Sequence, residues 1–188
     1  MKKILFAFVC ALALFATACT SCHHDTPEPA AFNFEQTLAN DMDSVIAMFP
    51  EAVFYESEIE FAAPLSDTAA YKIHSLLNVF QCKDTCIRIS YDENYNRTIE
   101  LINDYWLEDM PACAYVSITL DSAIAIAKDN LGKMPNTRFV TLRRPLAPPF
   151  PECASYIFGR GLIFVDACDG NVNFYEENTE KVDSTATE

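Results

Sequence analysis

Glycine is scarce in this chain, four residues among 188, and histidine is scarcer still, with three. Few glycines leave little material for a phosphate-cradling loop, and no GxxxxGKS/T or GxGxxG pattern occurs. No HExxH or GxSxG pattern is present either, so the usual zinc-peptidase and serine-hydrolase signatures are missing. Basic residues are outnumbered, 13 Lys and Arg against 27 Asp and Glu, for a formal charge of −14. That charge repels nucleic acid and anionic lipid surfaces, which disfavours a nucleic-acid binder.

What the chain has in quantity is apolar and aromatic side chain, 51% and 12% of residues. At this length that suffices for the core of one domain or two small ones.

The first residues have the layout of an export signal. Met1-Lys2-Lys3 is a positive start, Ile4 to Ala18 is uncharged, and the run ends in small residues. As a helix it would span about 22 Å, short of a hydrocarbon core of roughly 30 Å, so it reads as cleaved at residues 1–18. Ala16-Thr17-Ala18-Cys19 resembles the lipobox of bacterial lipoproteins, with Ala16 where Leu or Val is usual. The resemblance implies that Cys19 carries a diacylglycerol and becomes an acylated N-terminus, palmitate being a typical chain. It places the protein in the bacterial cell envelope, anchored to the outer membrane and facing the periplasm or the surface; several acyl chains make such anchoring stable. Cys22, His23 and His24 could ligate zinc or copper. However, the following TPEPAAF reads as an extended tether over 19–33, and a tether preorganises no site, so no metal and no cofactor are expected.

Export puts the other cysteines where pairing is the default. Cys22, Cys82, Cys86, Cys113, Cys153 and Cys168 permit 15 connectivities. A two-residue turn at Arg160-Gly161, between strands 154–159 and 162–167, sets Cys153 opposite Cys168, within bonding reach. Cys82 and Cys86 bracket Lys83-Asp84-Thr85, the span of a three-residue hairpin loop, and could clamp it. Their alternative as a redox dithiol lacks CxxC spacing. Cys22 and Cys113 are left over.

Apolar periodicity organises the rest. Phe34, Leu38, Met42, Val45, Ile46 and Phe49 make a helical stripe ending at Pro50. Residues 52–62 alternate, with Val53, Tyr55, Ile59 and Phe61 facing one way and Glu56, Glu58 and Glu60 the other. Strands follow around 71–79, 86–91 and 97–105. After Pro111 the order begins again: Thr119 caps a helix through Leu131 that stops at Gly132, then strand 137–144, a proline-rich loop, and strands meeting at Asp169-Gly170. The expected fold is α+β, a helix packed on antiparallel sheet in two repeated helix-strand-hairpin units, 34–110 and 111–177, with a disordered tail at 178–188; the alternative is a single α+β domain whose halves share only ordinary patterning. The second unit, from SITLDSAIAIAKDNLGKMPNTRFVTLRR to IFVDACDGNVNFYEE, resembles a PepSY-type domain through Thr119-Leu120-Asp121, Ala123 and the turn Asp169-Gly170-Asn171. It departs from that pattern at Pro148-Pro149-Phe150-Pro151 and in its cysteines. The resemblance implies an envelope module that binds or inhibits a protein such as a peptidase, with no catalytic residue to carry over.

Candidate chemistry is thin. His74 is the single histidine beyond the tether and falls on the solvent side of its strand. The alternating glutamates read as a solvated face, and Asp92, Asn94 and Asn96 as a turn, since Arg97 stands where a calcium loop needs Gly. Against an acidic background, Lys128, Lys133, Arg138, Arg143 and Arg144 are concentrated, and Arg138, Arg143 and Arg144 are candidate contacts for an anionic or protein partner. Together these features predict a lipid-anchored, non-enzymatic binding or inhibitory module for a protein or peptide, with sheet edges as a recognition surface. A small envelope enzyme, either a thiol oxidoreductase or a hydrolase, and an accessory subunit of a surface assembly are the alternatives.

Overall fold

The computed structural model describes residues 32–66, 71–107, 109–146, 153–159 and 161–174. Cys19, Cys22, the His23-His24 pair, the 147–152 loop and the 178–188 tail lie outside the described residues. Among those described, no helix is long and apolar enough to cross a membrane.

Helix α1 (Phe34–Met48) precedes β1 (Val53–Phe61), β2 (Ile73–Cys82), β3 (Thr85–Tyr91), β4 (Arg97–Ile102) and β5 (Asp109–Met110). Helix α2 (Leu120–Leu131) precedes β6 (Phe139–Pro145), β7 (Ser155–Phe158), β8 (Ile163–Asp166) and β9 (Val172–Phe174). The strands form a single antiparallel sheet ordered β4-β3-β2-β1-β6-β7-β8-β9, with β5 paired to the end of β6. This corrects the expected α+β arrangement of two helix-on-sheet repeats. The first strand after each helix, β1 and β6, hydrogen-bonds to the other from Glu56↔Arg143 to Glu60↔Phe139. Among the described residues, what reads as two sheets is one nine-stranded, β-rich structure carrying two helices. Periodicity reports which residues are strands and cannot report which strands pair across a distance of some 80 residues.

Both helices begin where their caps place them. Asn33 accepts a hydrogen bond from the Gln36 amide and Thr119 from the Ser122 amide, each satisfying an otherwise orphaned donor of a first turn. Gly132 ends α2 at φ +69°, a left-handed position that favours glycine. Phe34, Leu38 and Val45 of α1 join Leu120, Ala123, Ile124 and Ala127 of α2 in one hydrophobic cluster. Phe54, Ile59, Leu76, Phe80, Ile87, Val140, Leu142, Tyr156 and Val165 complete it from the sheet. The helices meet where the Leu120 amide donates to the Glu35 carboxylate, and the Phe34 and Tyr156 rings pack edge to face at 6.3 Å.

One irregularity in β1 positions the site. Phe54 faces Phe80 on β2 while Glu56 faces the next residue, Val79, so Tyr55 is a bulge. Because of it Phe54, and not the expected Val53 and Tyr55, points into the core: Phe54 is fully buried and Val53 is 39% exposed. At the same place β1 changes neighbour. From Glu56 onward it pairs with β6, whereas Phe54 bridges Ala112. Residues 109–112 therefore enter a fork between β1 and β6, with Asp109 and Met110 paired to Pro145 and Arg144 on the far arm.

Candidate functional site

At the fork, on the sheet face away from the helices, three charged side chains converge. Asp109 and Glu56 are 5% and 3% exposed. Arg143 Nη1 donates to Asp109 Oδ1 at 3.1 Å, its Nε lies 4.0 Å from Glu56 Oε1, and the Trp106 indole donates to Asp109 Oδ2 at 3.2 Å. Burial pushes the Glu56 carboxyl up to about 8, reinforced by the negative charge of Asp109 and a hydrogen bond between the two carboxyls, and opposed by Arg143. The pair thus holds a proton at neutral pH. Glu56 was expected on a solvated face; the wedge of 109–112 covers it. Nothing in local patterning marks Asp109, which lies outside any periodic segment.

A second buried polar network lies on the helix side. Asp41, 1% exposed, sits on the apolar stripe of α1. Its Oδ1 accepts from Arg97 Nε at 2.9 Å and Tyr91 Oη at 2.8 Å, and its Oδ2 from Asn78 Nδ2 at 2.8 Å. Asn78 in turn accepts from the Ser57 hydroxyl at 2.6 Å. The Tyr91 hydroxyl is pushed up to about 12, by burial first and then by its bond to Asp41. One carboxylate therefore ties α1 to strands β2, β3 and β4, with both of its oxygens satisfied.

The three arginines expected to meet a partner are engaged within the chain. Arg143 holds Asp109. Arg138 donates from Nε to the Phe61 carbonyl at 3.0 Å and lies 3.6 Å from Glu60. Arg144 donates to the Pro111 carbonyl at 3.3 Å. They pin β6 to β1 and to the wedge rather than forming a basic strip.

The cysteines divide. Cys153 and Cys168 form a disulfide, as the register Ser155↔Asp166 requires two pairs further out. Cys82 and Cys86 are free thiols, which corrects the expected clamp. The hairpin loop is two residues long, Lys83-Asp84, so Cys82 faces Thr85 and Cys86 faces Gln81. Adjacent cross-strand pairs project to opposite faces of a sheet, and the two sulfurs point apart. That arrangement also removes the geometry of a dithiol redox centre. Cys113 is free and exposed.

His74 is partly exposed and 3.7 Å from Glu93, with no nucleophile among its described partners. Asp92 accepts from the amides of Asn94 and Asn96 and from the Asn96 side chain, which hold its carboxyl below the usual range; this is a turn, as expected. A shallow groove of about 250 Å³ on the face away from the helices is lined by Glu58, Glu60, Leu77, Arg88 and Phe139 among others.

The sheet edge at β4 is different in kind. Every residue from Arg97 to Leu101 is exposed, including Ile99 and Leu101 at 41% and 56%. Among the described residues no strand covers its outer side, so alternate residues present unpaired N–H and C=O groups.

Comparison with models of known protein families finds no match, and neither does comparison with curated proteins. Among solved structures, the chain is similar to a "putative lipoprotein" from Clostridium difficile 630, with 12% identity over 75% of this chain and 95% of that one and a TM-score of 0.42. A likeness at that level carries no argument about this chain.

Proposed function

We propose that this protein is an exported, lipid-anchored and non-enzymatic binding module that captures an extended segment of a protein partner by strand addition at β4. The observation that carries this reading is the edge that no described strand covers: a six-residue strand, exposed on both faces, at one end of the sheet. Main-chain hydrogen bonds to such an edge supply affinity, and alternate side chains supply selectivity. The anchor rests on the lipobox-like Ala16-Thr17-Ala18-Cys19, and the PepSY-like motifs of 117–177 agree with a binding or inhibitory role. The outer membrane of a bacterial envelope is the proposed location.

Hydrogen exchange on the purified chain tests the binding surface. The outward amides of β4 exchange rapidly in the free protein and slow on complex formation; protection confined to any other element would refute edge capture. Mass spectrometry of the N-terminal peptide from the producing cell tests the anchor, with an acylated Cys19 expected and an intact leader as the contrary result.

A further inference from the structure

The side chains of β4 restrict what the edge can accept. Ile99 and Leu101 lie on the helix side, opposite Ile89 and Ile87 of β3, and Glu100 lies on the other side, opposite Arg88. A strand added beyond β4 would set alternate residues against Ile99 and Leu101 and the residue between them against Glu100. Residues of one face pair directly across such a junction, and like charges there are destabilising.

Charge along the edge is one-sided. Asp92 and Glu93 precede β4 and Asp104 follows it, all exposed, with Glu100 in the middle. The nearby cations are paired: Arg97 with Asp41 and Lys83 with Glu51 at 3.2 Å, while Arg88 shares Glu100 at 3.5 Å in an exposed contact that a second cation can join. A second copy of this chain is a poor occupant. The antiparallel register that sets Ile99 of one copy against Leu101 of the other also sets Glu100 against Glu100, and acidic residues far outnumber basic ones in each copy, 27 against 13 over the full sequence.

We infer that the partner segment alternates apolar and basic residues, an apolar–basic–apolar strand whose Lys or Arg meets Glu100 while its apolar neighbours cover Ile99 and Leu101. This rests on the proposed edge capture and names the partner's chemistry.

The experiment measures binding of the full chain to three labelled peptides by fluorescence anisotropy: Thr-Val-Lys-Val-Lys-Val-Thr, the same sequence with Glu for Lys, and the Lys peptide with alternate amides N-methylated. The Lys peptide is expected to bind at least about tenfold more tightly than the Glu peptide, with the gap closing as salt rises. In Glu100→Lys, an exposed change that leaves the circular dichroism unaltered, the preference reverses. N-methylation abolishes binding. Equal affinity for the Lys and Glu peptides, with binding still lost on N-methylation, overturns the charge rule and leaves edge capture standing. Undiminished binding of the N-methylated peptide overturns edge capture itself. A stable dimer in sedimentation that excludes the Lys peptide assigns the edge to a second copy and overturns the inference.

Discussion

Arg143 on β6 and Asp109 on β5 are joined at 3.1 Å inside the fork where β1 and β6 separate, and the Asp109 side chain is fully buried. Glu56 on β1 supplies the third charged group, so all three arms of the fork meet in one cluster. Truncating Arg143 leaves two carboxyls in a closed site. Arg143→Ala is expected to lower stability by about 3–5 kcal/mol, the range for breaking a buried pair. Urea denaturation measures it.

The shared proton gives that cluster a pH signature. Glu56 releases its proton near pH 4.5 when unfolded and near 8 when folded. Between those values the native state binds more protons than the unfolded state, so stability falls as pH rises, with a limiting slope of about 1.4 kcal/mol per pH unit from this group. Below pH 4.5 the group is neutral in both states and contributes no slope. Glu56→Gln is expected to flatten this part of the profile and to be more stable than the parent at pH 8. An unchanged slope in thermal melts across the window would contradict the assignment.

Asp41 is expected to be as demanding, for a different reason. Asp41→Ala strands Arg97, Tyr91 and Asn78 without their acceptor and is predicted to cost about 3–5 kcal/mol. Tyr91→Phe removes one donor and leaves the carboxylate otherwise bonded, costing about 1 kcal/mol. Chemical denaturation of the two variants should separate them clearly.

Thiol chemistry offers an inexpensive check. Under native, non-reducing conditions Cys153 and Cys168 should resist alkylation and appear as one bridged pair in the peptide map. Among the described free thiols Cys113 reacts first. Cys86 reacts last, because burial pushes its thiol pKa up and only the thiolate attacks. Replacing both Cys153 and Cys168 by Ser, which opens a loop with a sequence separation of 15, is expected to cost about 3 kcal/mol.

Much of the local structure was legible in the residues. The caps at Thr119 and Gly132, the turn at Asp92, and the facing of Cys153 and Cys168 follow from short-range chemistry that a reader can count. The joining of β1 to β6 was not legible, since two strands far apart in the chain carry no shared mark. Neither was the phase change in β1: Val53, Tyr55 and Ile59 alternate convincingly on paper, and only pairing with β2 reveals the extra residue. The candidate site was lost for the same cause, because Glu56 counts as a solvated glutamate until Asp109 arrives from outside the periodic segments. The β4 edge was readable as a strand; that no described strand covers it was not. The hairpin of Cys82 and Cys86 turned on a loop one residue shorter than expected, with Lys83 taking the positive φ of 55° that a two-residue loop demands.

The bulge at Tyr55 makes β1 unequally sensitive to length changes. Skipping that single position leaves Val53 against Gln81, Phe54 against Phe80 and Glu56 against Val79, so a chain shortened there keeps every remaining partner. Losing one residue between Ser57 and Glu60 instead swaps inside for outside along part of the central strand, and carries a glutamate toward the oil. Related chains one residue shorter in this strand should therefore have lost it at Tyr55.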